Sequence, residues 1–392
     1  MNDTSSTAIN NNSVFRHKFR YHSVGQGLFM SAEFRLNNKE SYKLVYDCGC
    51  DHKNSSNLNA SIRQLKNEFN GNIDLLIISH FDFDHISGMK DLLDHMYLRK
   101  IILPYIDFGE MLMLLLDKKN NVPENVNWYY EFLANPVQFL KSTYNVLEVV
   151  FINNDTLKTD QFSQKELRID ELENNVSLEW DYSTLNYLEN ERLNLLTPSA
   201  TNLFIPKSFQ PTLQISFFNY KTTNIKQKMF RKKLLSIMRY YNLSSINEIA
   251  SKVADDPVFL KEIKMAYSII TSSHNNVSLC MGYTFQVSKN QELNHVLTGD
   301  ISLNYKRKQM QFFDHFQILL SKADFLQVPH HGSKYNWHHN LTAFSPNKTE
   351  FIATYGVNNS HGHVHSDVSN FISLASKKLH LVDEFQGLSR TY

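Results

Sequence analysis

Short apolar runs and apolar–polar alternation mark the two ends of the chain, and helical spacing marks its middle. FRYHSVGQGLFMSAEF (19–34) predicts a strand, a turn bracketed by glycines and a second strand. YKLVYDCGC (42–50) predicts an apolar strand ending at Asp47 and a glycine turn. Residues 59–69 are helical in pattern, and IDLLIISH (73–80) is the short apolar run expected of a strand buried on both faces. GMKDLLDHMYL (88–98) predicts a helix, and RKIILPY (99–105) predicts the next strand. Such strand–helix alternation implies an α/β layered core.

The middle reads differently. Residues 106–145 look mostly helical, and VLEVVFI (146–152) predicts a strand. Residues 160–192 carry nine acids against three bases, with weak hairpin signals around VSLEWDY, and LNLLTP (193–198) predicts a strand stopped by Pro198. Residues 221–239 carry seven Lys/Arg and no acid on a helical pattern, and 245–265 predict one or two more helices. The α/β pattern then returns in YSIITS and NNVSLCMGYTFQV (267–287), HVLTGD (295–300), a helix near 308–321, DFLQVPHHGS (324–333), FIATYG (351–356) and GHVHSDV (362–368). The organisation read from this is a disordered tail at 1–14, two halves of one layered domain at 15–198 and 271–392, and a largely helical insertion at 199–270.

Composition narrows the function classes. The 392 residues hold 40 Lys plus Arg and 39 Asp plus Glu, a net charge of +1, which excludes a chain-wide polycation but allows a local patch. No apolar run approaches the ~18 residues of a membrane-spanning helix, and the polar start MNDTSSTAINNNS has neither a basic nor an apolar leader segment. Three cysteines, Cys48, Cys50 and Cys280, make no disulfide framework and suggest a reducing, cytoplasmic setting. Cys48 and Cys50 could form half a zinc site, but with no second pair they read as small packed residues. The 17 histidines are more telling: none lies between Met96 and Ser273, and seven fall between His330 and His365. That clustering predicts a site built from the two ends of the chain.

The strongest local feature is Ser79-His80-Phe81-Asp82-Phe83-Asp84-His85, directly after a predicted buried strand. Alternate side chains of an extended segment share a face, so His80, Asp82 and Asp84 can converge, with His85 reaching from the turn into the helix. The stretch resembles the HxHxDH signature of the metallo-β-lactamase fold in an HxDxDH form. More narrowly, the chain resembles the metallo-β-lactamase domain of the ComEC competence proteins and its free-standing relatives. The blocks, in order, are Gly25-Gln26-Gly27, Asp47-Cys48-Gly49, SHFDFDHISGM with RKIILP, Asn276-Val277-Ser278-Leu279, Leu297-Thr298-Gly299-Asp300, VPHHGS (328–333) and Gly362-His363-Val364-His365-Ser366-Asp367-Val368. In the last block Val364 and Ser366 stand where the family has proline.

The resemblance implies an αββα sandwich, a hydrolase, and a pair of divalent metals sharing a bridging hydroxide. It implies His80, Asp82 and His330 around one metal, Asp84, His85 and His363 around the other, and Asp300 bridging. His330 and His331 read as one ligand and one orienting donor. Asp84, Asp300, His331 and His365 are the expected catalytic residues, with His365 and Asp47 as candidates for substrate contact or ligand orientation. Asp82 makes the first site oxygen-rich, which favours Mn²⁺ or Mg²⁺ while leaving Zn²⁺ open.

Three function classes follow. The first is a phosphodiesterase or nuclease acting on nucleic acid or a nucleotide, with Lys228, Arg231, Lys232 and Lys233 of the basic run tracking phosphates; the run reads equally as a solvated helix face. The second is a hydrolase of a small ester, such as a phosphorylcholine-type ester, lactone or thioester. The third is a metal-containing binding component of a multi-protein bacterial system.

Overall fold

In strand β1 (Phe15–Tyr21), His17, Phe19 and Tyr21 are buried while Arg16, Lys18 and Arg20 point away from the core, the two-residue period of a sheet with one face inward. The computed structural model describes residues 15–37, 40–104, 127–134, 136–152, 194–196, 205–220, 224–243, 252, 256–267 and 278–392. The expected tail at 1–14, the hairpin signals near 176–182 and all of 106–126 lie outside these residues.

β1 is followed by β2 (Phe29–Leu36), β3 (Glu40–Cys48), β4 (Asn72–Ile77), β5 (Tyr97–Pro104), β6 (Glu148–Ile152) and β7 (Asn194–Leu196). β1 to β3 pair antiparallel, and β3 to β7 run parallel. Helices α1 (Ser55–Phe69), α2 (Phe83–Ile86), α3 (Met89–His95) and α4 (Asn127–Ala134) lie between these strands in the chain and cover the outer face through Leu58, Ile62, Leu65, Met89, Leu92 and Phe132. The second sheet contains β8 (Leu213–Phe218), β9 (Cys280–Ser288), β10 (Gln291–Leu297), β11 (Phe325–Gln327), β12 (Glu350–Thr354) and β13 (Lys378–Val382), in the spatial order 13-12-11-10-9-8. Its outer face is closed by α7 (Lys306–Leu320) and α8 (Ser366–Leu374) through Phe312, Phe316, Val368 and Ile372. Last in the chain, β14 (Leu388–Thr391) returns to pair antiparallel with β1 at the edge of the first sheet.

Between the sheets lies the central core, with Phe19, Tyr21, Phe34, Leu44, Leu75 and Ile77 meeting Ile215, Phe217, Met281, Phe285 and Ile352. The order helix–sheet–sheet–helix is the expected αββα sandwich. One boundary differs. β8 falls inside the expected 199–270 insertion, yet pairs antiparallel with β9. Its alternation in LQISFF is too short to stand out beside the long basic helix that follows it. Among the described residues the helical part is α5 (Asn224–Tyr240) and α6 (Pro257–Tyr267), whose Phe230, Leu234 and Ile237 and whose Phe259 and Ile263 are buried.

Both sheets place the carboxyl ends of β3, β4, β10, β11 and β12 along one rim. Loops leaving such strand ends are where α/β folds assemble sites.

Candidate metal centre

The centre is laid out by residues at the strand ends. Asp47, near the end of β3, adopts a left-handed φ of 56°. Its buried carboxylate accepts from the Ser79 backbone N–H at 2.6 Å, from the Ser79 hydroxyl at 2.6 Å and from His85 Nδ1 at 2.8 Å. The Ser79 hydroxyl, having donated to Asp47, accepts from His80 Nδ1 at 2.9 Å. On the opposite sheet His331 Nδ1 donates to the Thr354 carbonyl at 2.9 Å. All three imidazoles thus spend their Nδ1–H on an orienting partner, which leaves each Nε2 lone pair pointing into the site.

Those Nε2 atoms converge on Asp300. Its Oδ2 lies 3.6 Å from His80 Nε2 and 3.6 Å from His330 Nε2. Its Oδ1 lies 3.3 Å from His85 Nε2 and 3.9 Å from His331 Nε2. Asp84 Oδ2 adds contacts of 3.4 Å to His331 and 4.0 Å to His85, and Asp82 Oδ2 stands 3.6 Å from His80. One carboxylate therefore faces two donor sets, one oxygen to each.

The donor set fits a pair of cations. Buried polar atoms are ordinarily hydrogen-bonded, but His80 Nε2, His85 Nε2, His331 Nε2, Asp300 Oδ1 and His363 Nδ1 are all buried and unpartnered. His80, His85 and Asp300 form one compact group of metal-ligand type, and Asp84, His85 and His331 form another. Asp47, Asp82, Asp84 and Asp300 together bring four carboxylates to a largely buried place, a charge that two divalent ions would balance.

The same crowding sets the proton affinities. Burial pushes the Asp82 carboxyl up to about 7, helped by Asp84 and Asp300. Burial also pushes Asp300 upward, but His330, His85, His331 and His80 outweigh it and hold it well below the usual carboxylate range. His80 is pushed down to about 4 by burial and by His85, and His363 to about 3 by burial and by His331 and His330. His85 rises because Asp300 and Asp84 overcome its burial.

Of the sequence-derived candidates, His80, Asp82, Asp84, His85, Asp300, His330 and His331 stand together. His363 sits at their edge, its ring centroid 5.3 Å from that of His330 and 6.0 Å from that of His331. His331 is not confined to orienting another residue: its own ring is oriented by Thr354, and it faces Asp84. Left-handed conformations at both His330 (φ 47°) and His331 (φ 55°) turn the two rings to opposite oxygens of Asp300, which residue order alone does not reveal. His365 stands apart. It caps α8, its Nδ1 accepting from the Asp367 N–H at 3.1 Å. Lys232 and Lys233 are exposed on α5, whereas the side chains of Lys228 and Arg231 lie outside the described residues.

Several supports escaped sequence reasoning. The Ser278 hydroxyl accepts from the Asp300 N–H at 2.9 Å, Gln327 Oε1 accepts from the Thr298 N–H at 3.1 Å, and Asn336 Nδ2 donates to the Asp300 carbonyl at 2.9 Å. Asn359 Oδ1 accepts from the His363 N–H at 2.9 Å. Polar residues inside loops carry no periodic signal.

Two glycines let the loops close. A Cβ on Gly49 would stand 2.5 Å from the Asp84 carbonyl oxygen, and one on Gly27 (φ 142°) 2.5 Å from the Gly49 oxygen. Backbone cannot yield as a flexible side chain can. Gly49→Ala is therefore expected to cost about 1–3 kcal/mol and to weaken metal retention by displacing Asp84 and His85. Denaturant unfolding alongside metal analysis checks this; a variant as stable and as metal-rich as the parent would show that the contact relaxes freely.

The family model described as metallo-β-lactamase superfamily matches residues 36–108, the segment from the end of β2 through β5 that holds Asp47 and the His80–His85 motif. No curated protein matches the chain. A crystal structure of a long form RNase Z from yeast is similar at 10% identity and a TM-score of 0.40; the match covers 99% of this chain and 42% of that one, so the chain spans less than half that protein's length. No helix among the described residues is long and apolar enough to cross a membrane. The four-layer architecture, with the matched segment at its centre, is the metallo-β-lactamase fold.

Proposed function

We propose that this metallo-β-lactamase-fold protein is a hydrolase that cleaves phosphodiesters, in nucleic acid or a nucleotide-like molecule, with two divalent metals. The observation that carries the reading is the division of Asp300, one oxygen facing His80 and His330, the other His85 and His331. His80, Asp82 and His330 would hold one ion. Asp84, His85 and His331 would hold the other, with His363 beside them. Such a pair supplies Lewis acidity and a strongly acidified water. The chain's own residues supply preorganisation. Asp47, Ser79 and Thr354 fix three imidazole tautomers, and Ser278, Gln327 and Asn336 fix the loop that presents Asp300. Asp82 and Asp84 keep 22% and 29% of their side chains exposed, so the carboxylates form the open side of the centre, where a substrate enters.

The test is metal loading followed by assay. Protein loaded with Mn²⁺ or Zn²⁺ should carry about two ions per chain and cleave a generic phosphodiester or members of a panel of single- and double-stranded nucleic acids. Protein that stays metal-free at millimolar Mn²⁺ and Zn²⁺ would sink the reading. Hydrolysis of lactones or thioesters in place of phosphodiesters would move the substrate to the small-ester class.

Exposed Lys232, Lys233 and Arg239 on α5 give the polymer form of the substrate a positive face. Reversing Lys232 and Lys233 to Glu is expected to lower nucleic-acid cleavage about tenfold at low salt. Hydrolysis of a small chromogenic phosphodiester should hold within about twofold, since its reaction needs only the sandwich. A parallel loss of both activities would mean that α5 supports the fold and does not select the substrate.

A further inference from the structure

A second constellation lies on the outer face of the first sheet, facing away from the inter-sheet core. Arg16, Lys18 and Arg20 occupy the outward positions of β1, and Arg35 and Glu33 the outward positions of β2 beside them. With Glu68 and Phe69 at the end of α1 they line a cleft of about 400 Å³.

The charges are unbalanced. Glu68 accepts from Lys18 at 2.8 Å and Arg20 at 2.7 Å, and Glu33 pairs with Arg35 at 3.0 Å. Four cations thus meet two carboxylates. The register makes the imbalance local: Arg16 stands directly opposite Arg35 on the same face of the antiparallel pair. Like charges directly opposite destabilise a sheet, and no ion pair relieves Arg16 among the described residues. One further atom lacks a partner: Arg35 Nε, a donor, is buried without a hydrogen bond, while Arg35 Nη2 holds Glu33 Oε1 at 3.0 Å.

We propose that this cleft binds a phosphate monoester carried on a hydroxylated sugar, either as a free sugar phosphate or nucleotide or as the phosphorylated end of a nucleic-acid strand. The phosphate sits between Arg16 and Arg35, where its charge turns a repulsive cross-strand pair into two charge-assisted contacts. Its oxygens accept from Arg35 Nε, and a sugar hydroxyl donates to the Glu33 carboxylate. The cleft volume falls in the range of small-ligand sites. The metal centre plays no part in this recognition.

Thermal melting of the full chain with ribose 5-phosphate tests the proposal, with ribose and inorganic phosphate as partial probes. Ribose 5-phosphate should raise the Tm of the parent, and Arg16→Gln should abolish that rise. Without ligand, Arg16→Gln should melt at or above the parent, because it removes the repulsion; this separates lost binding from lost folding. Titration calorimetry should show affinity falling at least about tenfold in the variant, with hydrolysis of a small phosphodiester unchanged. Equal ligand-induced shifts in parent and variant, or none in either, would overturn the assignment. Failure of the hydrolase reading would leave these melts untouched. To place the source, a 5′-phosphorylated oligonucleotide is compared with its 5′-hydroxyl form: a strong preference for the former assigns the cleft to strand ends, and equal binding with tighter ribose 5-phosphate assigns it to free sugar phosphates.

Discussion

Asp300→Ala is expected to remove turnover, by a factor of about 10³ or more, and to take metal with it, whereas His365→Ala should keep turnover within about tenfold of the parent. The difference follows from position. Asp300 is 3% exposed and stands within 3.9 Å of four imidazole nitrogens. Removing it leaves His80, His85, His330 and His331 to hold both ions without the one group that faces them all. His365 engages its own helix at Asp367, so its loss removes a cap, costing about 0.5–2 kcal/mol of stability. Elemental analysis together with a phosphodiesterase assay decides the matter. Full activity in Asp300→Ala would remove its bridging role, and inactivity of a folded, metal-replete His365→Ala would return His365 to the chemistry.

The parts of this centre that were legible in the sequence are those that local physics dictates. IDLLIIS reads as a buried strand, and ligand-type residues crowded at its end read as a site. The Gly25–Gly27 and Asp47–Gly49 turns were legible because glycine is scarce, 12 in 392 residues. What stayed hidden depends on long-range contacts. That both His330 and His331 face the centre is set by two consecutive left-handed residues and by Thr354, 23 positions beyond His331. Strands β13 and β14 went unread because their short segments take strand form only beside β12 and β1. Helix α5 was legible as a helix, since Phe230, Leu234 and Ile237 keep helical spacing, but its neighbour β8 was absorbed into the insertion.

Stability should fall steeply as pH drops below about 6.5, through a buried network that contributes nothing to the metal centre. His17 Nδ1 must donate to the Glu33 carbonyl (3.2 Å), so its Nε2 accepts from the Tyr283 hydroxyl (3.0 Å). Tyr283 in turn accepts from His295 Nδ1 (2.9 Å), which leaves His295 Nε2 to accept from the Tyr21 hydroxyl (2.8 Å). Every group has one role, and a second proton on either imidazole strands a tyrosine hydrogen without an acceptor. Burial accordingly drives His17 from 6.5 to about 3 and His295 well below 6.5; His22, stacked on Phe29, falls to about 3 through burial and the charges of Arg20 and Lys18. The sign follows from proton counting. Between pH 3 and 6.5 the unfolded chain binds protons that the folded chain refuses, so stability is full above 6.5 and is lost progressively toward 3. Each histidine contributes a slope of about 1.4 kcal/mol per pH unit, so His17 and His22 alone remove on the order of 4 kcal/mol by pH 5, a large share of a typical domain's 5–15, and His295 acts in the same direction. Urea unfolding in the presence of chelator, from pH 7 to 5, isolates this slope from metal loss. His17→Gln should be less stable than the parent at pH 7, yet show a pH slope shallower by about 1.4 kcal/mol per unit. Identical slopes in the two proteins would mean that His17 protonates freely in the folded state and that the network does not exclude the proton.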